Sequence, residues 1–505
     1  MDENKGEIKE FTKLLQGSGI IFLGFILDRG FTFGGQVLLA RILGRADFGA
    51  VSIGQTIAGT LGTLVLIGLN TGVGRYLPRA NSSSKRRGVI LSALHLIAPI
   101  SLLVGGLIIY YARTIALVGF NNPSLTPLIQ IFAIGIPLLA IKKFTIGVVQ
   151  GREQSRPKVF IQNIIQPISK IILIGAALLI GFEEIGISIS IVLAYGITTF
   201  VSIIYLVRYT PLLDDIVPDY IHRELIYFSA PLVVTSAMII FLSDIDTLMI
   251  GYFSTTSDVG RYKVVYPIAQ LLTLVFLSVK FVSMPLLSRI DSRGNRSRFQ
   301  YIYSKATKWI LVTTLPLYVL ITVYSEWIIK SVYGTQYITG AAVLPILTSG
   351  FFVHAIAGPT EGTLTSLGRT RSIMAVSIIT GVSNIVLNYI LIQNFGIIGA
   401  AIATAISYAF MNLMYITILV VSEGISPFRR ELFRVSAVGV VSLLAGFSMT
   451  QIELLPYQIL PGLTFILVYI PGIILLCVSD EEIESVKNNT PSENVIADVF
   501  SRLFR

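Results

Sequence analysis

Long apolar stretches separated by short polar ones run through the whole chain. About 20 mainly apolar residues are needed to cross the roughly 30 Å hydrocarbon core of a bilayer. By that measure the sequence predicts fourteen spans: 17–40, 51–74, 89–111, 125–148, 159–181, 187–207, 227–250, 262–287, 307–329, 341–367, 372–393, 397–421, 435–452 and 459–478. A kink or a short re-entrant piece is expected within 262–287 and 341–367. The longest polar pieces, 208–226, 288–306 and 479–505, are too short to hold a soluble domain. The expected fold class is all-α: a polytopic membrane protein of about 14 transmembrane helices.

An internal repeat organises these spans. Gly44-Arg-Ala-Asp47-Phe-Gly49 follows the first span, and Thr255-Thr-Ser-Asp258-Val-Gly260 follows the seventh, 211 residues later. Six crossings return a chain to its starting side, so spans 1–6 (17–207) and 7–12 (227–421) are expected to form two parallel-oriented six-helix lobes. Residues 208–226 link them, and two C-terminal helices follow within 435–478. Repeats of this kind are a transporter signature, with the substrate path between the repeats. Residues 1–16, with Ile8, Phe11 and Leu15 on one face, read as a cytoplasmic interfacial helix. The tail 479–505 carries a similar apolar face at Val495, Val499, Phe500 and Leu503.

Composition agrees with this picture. Of the 505 residues 53% are hydrophobic and only 13% charged, with a mean hydropathy of +0.78. Soluble proteins carry about 25% charged residues, so a water-soluble globule is excluded. The net charge of +10 is accounted for by topology. With the N-terminus inside, 29 of the 38 Lys and Arg fall on inner segments, 6 on outer ones and 3 within spans. Basic residues mark cytoplasmic loops, so both termini are expected in the cytoplasm of a cell-membrane protein. The charge therefore calls for no nucleic acid. The first apolar stretch is expected to be a retained span rather than a cleaved signal.

Several chemistries find no support in the residues. The single cysteine, Cys477, excludes a disulfide framework and thiolate metal sites. There is no Gly-x-x-x-x-Gly-Lys-Ser/Thr and no His-Glu-x-x-His. Asp244-Ile-Asp246 has the Asp-x-Asp spacing of many glycosyltransferases but lies within a span. His95 and His354 also lie within spans and read as packed side chains. No catalytic residue, metal or cofactor is expected.

The informative residues are charges inside the spans. An isolated charge at the bilayer centre costs at least about 2.5–3.5 kcal/mol, so such groups face a polar cavity or one another. Arg29, Lys170 and Lys280 lie roughly 13–18 Å deep at 1.5 Å per residue. The acids at or near depth are Asp28, Asp244, Asp246 and Glu361. Two readings stand open: internal charge pairing, as of Lys280 with an acid from the seventh span, or a cationic cavity receiving an anionic head group, with the acids as pairing or ion-coupling groups. Three cations on three spans favour the cavity. Arg75, closing the glycine-rich Gly68-Leu-Asn-Thr-Gly-Val-Gly-Arg75, is either a cytoplasmic-mouth cation or a positive-inside anchor.

Leu39-Ala-Arg-Ile-Leu-Gly-Arg-Ala-Asp-Phe-Gly49, Gly68-Leu-Asn-Thr-Gly-Val-Gly-Arg-Tyr-Leu-Pro78 and Asp246-Thr-Leu-Met-Ile-Gly-Tyr-Phe253, with Asp258-Val-Gly-Arg-Tyr262, carry a family likeness. Together with the layout of spans, the chain resembles the polysaccharide-biosynthesis flippases of the multidrug/oligosaccharidyl-lipid/polysaccharide exporter superfamily. The resemblance implies two V-shaped lobes and alternating access, with a polyprenyl-(pyro)phosphate-linked glycan moved from the cytoplasmic to the outer leaflet. It also implies basic cavity residues that meet the phosphate, with membrane lipids and glycan-assembly enzymes as partners. The alternatives are a cation-coupled multidrug extruder of the same superfamily, or a membrane-embedded glycan polymerase or ligase.

Overall fold

The computed structural model of the chain describes residues 2–292, 295–357, 359–427, 430–448 and 460–478. Every regular element among them is a helix. Nine helices are long and apolar enough to cross a bilayer, and three bent pairs bring the figure to twelve. The pair Thr256–Gln270 and Leu272–Lys280, bent by 42°, is the kink expected within 262–287. The fourteenfold count stays an expectation.

Two elements are too long for a single crossing. Asp2–Leu64 has 63 residues and Thr370–Glu423 has 54, roughly 80–95 Å of helix at 1.5 Å per residue. Each contains one break, at Gly44 (φ 73°, ψ 176°) and at Gly396 (φ 56°, ψ −134°). Side-chain-bearing residues rarely adopt positive φ, so glycine is what lets the chain leave the helix there. Both breaks fall between predicted spans. The helix also begins at Asp2 and runs unbroken to Gly44, and the tail 479–505 lies outside the described residues.

The described chain forms two compact units. One is made of the chain up to Leu271 together with Ser325–Val353 and Gly368–Tyr415; the other of Leu272–Tyr324, His354–Leu367 and the chain from Ile416.

In the first unit the two copies of the repeat motif pack on each other. A methyl group at Gly49 would lie 1.8 Å from the Thr256 carbonyl oxygen, and one at Gly260 would lie 2.0 Å from the Arg45 carbonyl oxygen. The contact is reciprocal, since Arg45 stands to Gly49 as Thr256 stands to Gly260. Only hydrogen fits at either position. Short helices at Ser325–Tyr333 and Thr335–Gly340 join the first unit beside this contact. Tyr337 Oη donates to the Ala40 carbonyl at 2.8 Å, and Arg41 Nε to the Val332 carbonyl at 2.7 Å.

In the second unit, Phe276, Ile310 and Ala355 form a small apolar core. Helices Arg430–Ser448 and Leu460–Cys477 lie where the last two spans were predicted. The Gly462 amide donates to Tyr324 Oη at 2.8 Å, and Tyr469 Oη donates to the Val312 carbonyl at 3.0 Å.

Candidate functional site

The site of interest is built on one helical face of the first unit. Beyond the Gly44 break, Gln55, Gly59 and Thr63 follow one another at four-residue intervals and so share a face. Two lysines from neighbouring helices reach this polar stripe. Lys143, on Leu125–Gly151, donates to the Gly59 carbonyl at 3.4 Å and to Thr63 Oγ1. Lys170, on Gln166–Leu179, donates to Gln55 Oε1 at 3.5 Å. Lys142, only 7% exposed, donates to Gln166 Oε1 at 2.6 Å. Arg29 Nη1 donates to Gln270 Oε1 at 3.2 Å.

In each of these bonds the acceptor is a neutral oxygen. Acids are present but outnumbered. Asp28 lies within electrostatic reach of Arg29 and Lys142, and Asp244 within reach of Lys143. Asp244 also forms an ion pair with Lys263 at 3.8 Å. Asp246 lies within reach of Lys263 as well, so among the described residues three acids, Asp28, Asp244 and Asp246, stand against the four lysines Lys142, Lys143, Lys170 and Lys263.

Lys142 and Lys143 correct the charge count. They are among the 29 basic residues counted on inner segments, whereas they lie inside helix Leu125–Gly151, nine and eight residues before its end. At 1.5 Å per residue that is roughly 12–14 Å into the helix. The signal was present in the sequence, because both fall inside the predicted span 125–148.

The other expected site residues have different surroundings. Lys280 forms an ion pair with Glu361 at 2.7 Å within the second unit. Its ammonium also lies 5.6 Å from the Phe276 ring centroid. The counter-acid thus comes from Pro359–Ser366 rather than from the seventh span. Arg75 stacks over Phe228 at 4.2 Å, and the Tyr76 ring meets the same phenyl edge-on. Close approach there relies on glycine: a methyl at Gly72 would lie 2.6 Å from Ser229 Oγ.

Asp246 is 2% exposed. It accepts from Tyr262 Oη at 2.5 Å and from the Thr247 amide at 2.7 Å. Tyr262, Tyr266, Phe351 and Tyr408 form a chain of ring contacts 5.1–6.1 Å apart. Beside Tyr408, Ser407 accepts from Asn384 Nδ2 at 3.0 Å, and Asn388 Nδ2 donates to Asn384 Oδ1 at 3.1 Å. Asn388 Oδ1 is buried without a hydrogen-bond partner among the described residues. Sequence reasoning missed these neutral partners because asparagine and tyrosine carry no charge to betray a buried acid's surroundings.

His95 stacks on His222 at 5.7 Å, and His354 meets Phe276 edge-on at 5.5 Å, so both are packed rings. Among the described residues no three His, Cys, Asp or Glu side chains converge as metal ligands would.

Comparison with known proteins now bears on this geometry. Residues 14–291 match the family described as polysaccharide biosynthesis protein. The chain belongs to that family. Residues 231–390 also match the MatE family. A curated relative of this polysaccharide biosynthesis protein, from Haloferax volcanii, is described as "Probable low-salt glycan biosynthesis flippase Agl15". The two are 24% identical over 426 residues, covering 82% of this chain and 83% of that one. Among solved structures, the lipid II flippase MurJ in an inward closed conformation superposes with a TM-score of 0.75. It is 17% identical and covers 90% of this chain and 98% of its own. An inward-facing multidrug resistance MATE transporter gives a TM-score of 0.64 at 13% identity, over 76% of this chain and 92% of its own. At such identities the solved structures establish the fold alone: a polytopic bundle of membrane helices.

Proposed function

We propose that this polysaccharide biosynthesis protein is a flippase. It carries a glycan linked to a polyprenyl (pyro)phosphate from the cytoplasmic to the outer leaflet by alternating access of its two lobes, with both termini in the cytoplasm of a cell-membrane protein. The observation that carries this reading is the cation cluster capped by neutral oxygens. A lysine bonded to a glutamine or threonine oxygen keeps its charge, and phosphate oxygens offer a charge-assisted bond in exchange. An acid partner would have to be displaced, and a neutral one only exchanged. The lipid tail stays in the bilayer while the head group meets Arg29, Lys142, Lys143 and Lys170. Arg75 receives it at the cytoplasmic mouth, and Lys280 enters only if Glu361 lets it go.

The glycan-flippase description of the Haloferax relative and the lipid II flippase fold support this reading. Asp246, buried and accepting a hydrogen bond from Tyr262, is the best placed of the four acids to couple transport to a proton or cation gradient. Enzymes that build the lipid-linked glycan are the natural partners. Depleting the protein should cause a lipid-linked glycan to accumulate on the cytoplasmic leaflet. Undisturbed arrival of glycan at the outer leaflet would overturn the reading.

The MatE match favours one second reading, a cation-coupled multidrug extruder. The positive excess of the cluster repels cationic cargo. Drug sensitivity of a deletion strain that keeps normal surface glycans would establish this second reading instead.

A further inference from the structure

A cavity of about 670 Å³ opens at one end of the first unit, away from the cation cluster and sharing none of its residues. Its charged and polar lining includes Arg86, Arg152, Arg208, Gln154, Tyr209 and Asp214. The three arginines come from three membrane helices. Arg86 is in the first turn of Ser83–Thr114, Arg152 immediately follows Leu125–Gly151, and Arg208 is in the last turn of Glu184–Tyr209. All three therefore sit at the helix ends that the excess of basic residues assigns to the inner side.

The cavity is held open by its own wall. The polar segment after Tyr209 is strapped to the start of Ser83–Thr114. Ser84 Oγ donates to the Val217 carbonyl at 2.6 Å, the Asp219 amide to the Ser84 carbonyl at 3.2 Å, and Arg87 to the carbonyls of Leu212 and Ile216. A methyl at Gly88 would lie 1.7 Å from the Asp219 carbonyl oxygen, so the strap lies directly on the helix. On the opposite side Tyr205 Oη fixes Gln154 through a bond of 2.5 Å. Arg87 is consumed by the strap. Arg86 gives its Nε to the Ala80 carbonyl at 3.1 Å and keeps its terminal nitrogens, and Arg86, Arg152 and Arg208 form no ion pair with any described residue. Asp214, the acid in the lining, forms none either, so the lining carries a surplus of two positive charges.

We propose that this cavity is a second anion site, which takes a phosphate-bearing group. Planar guanidinium forks bind phosphate oxygens two at a time, and three of them around one cavity leave room for more than a bare ion. The cavity lies at the level of lipid headgroups, in the leaflet whose surface is negative, with Tyr209 at the interface where tyrosines concentrate. The phosphate can thus come from an anionic lipid headgroup or from a soluble phosphate compound.

The test uses the purified full-length protein in detergent. Equilibrium binding is measured for short-chain phosphatidylglycerol, for short-chain phosphatidylcholine as a neutral control, and separately for inorganic phosphate. Arg152→Gln should weaken binding about tenfold, and the triple Arg86→Gln, Arg152→Gln, Arg208→Gln variant by considerably more. Arg152→Lys should recover part of the loss. Arginine-dependent binding of phosphatidylglycerol alone identifies a lipid source, and arginine-dependent binding of inorganic phosphate identifies a soluble one. Either result supports the site. Arg208 is exposed, so Arg208→Gln carries the same test if the triple variant does not fold. Binding that is unchanged by the arginine substitutions, or weakened equally by Arg113→Gln at the far end of Ser83–Thr114, overturns the proposal.

Discussion

Most of the cations in the two units are answered in opposite ways, apart from Arg261 and Lys263 of the first unit, which pair with Asp258 and Asp244. In the first unit Lys142, Lys143, Lys170 and Arg29 donate to glutamine, threonine and backbone oxygens. In the second, Lys280 faces Glu361 at 2.7 Å, Lys305 and the 1%-exposed Lys308 share Glu431 at 3.3 and 3.9 Å, and Arg296 faces Glu423 at 2.7 Å. A cation beside an acid is already neutralised, and its job is to hold helices together. A cation beside an amide keeps its field, at a desolvation cost that a structural role does not require. The depth of a charge therefore says little about function until its acceptor is known.

The sharpest way to break this contrast is to discharge the first unit. Lys142→Gln together with Lys170→Gln should lower outward transfer of the lipid-linked glycan about 100-fold or more, each lysine supplying a charge-assisted bond to phosphate. Membrane insertion and the melting temperature should hold. Transfer at the normal rate would mean that the cluster does not meet the phosphate.

Making the first unit resemble the second is the next test. Gln166→Glu would place an acid where Lys142 now finds an amide. Transfer should drop about tenfold, while the melting temperature stays level or rises. A drop in both would point to misfolding rather than to lost charge.

The reverse exchange acts on stability. Glu361→Gln leaves Lys280 without its acid and should cost about 1–2 kcal/mol, below the value for a fully buried pair because both side chains are part-exposed. Adding Lys280→Gln should return most of that loss in a thermal melt, because no uncompensated charge then remains. If the double variant is as unstable as the single one, the pair is not simply structural.

The smallest effect is expected at Arg75→Lys. Stacking on Phe228 is weaker for an ammonium than for a guanidinium, and the change should be about 0.5–1 kcal/mol or less. It is measurable as a small shift in melting temperature with transfer nearly intact.

The sequence carried most of the architecture in its hydropathy. Apolar windows located the helices, and the glycines at 44 and 396 fell in the gaps between predicted spans because a helix cannot turn back on itself without a residue free to leave it. The kink expected within 262–287 falls at Leu271, between Gln270 and Leu272. The candidate site was legible only in part. Arg29 and Lys170 stood out as lone charges, whereas Lys142 and Lys143 were hidden by their closeness to a basic loop. Gln55, Gln166 and Gln270 carry no signal at all until the helices are packed, because a neutral acceptor looks like any other polar residue. The pairing of Lys280 with Glu361, 81 positions apart, is likewise a fact of packing and not of spacing.

The reciprocal seating of Gly49 and Gly260 has a consequence of its own. The close approach there is backbone against backbone, with carbonyl oxygens resting where side chains would otherwise begin. The two backbone contacts themselves have no ionisable group to titrate and no rotamer to reorganise, and the flanking Asp258 and Arg261 answer each other at 2.8 Å. The strength of those contacts should be indifferent to salt and acidity, so the protein can tune its charged interior freely without loosening or tightening the place where its two repeats touch.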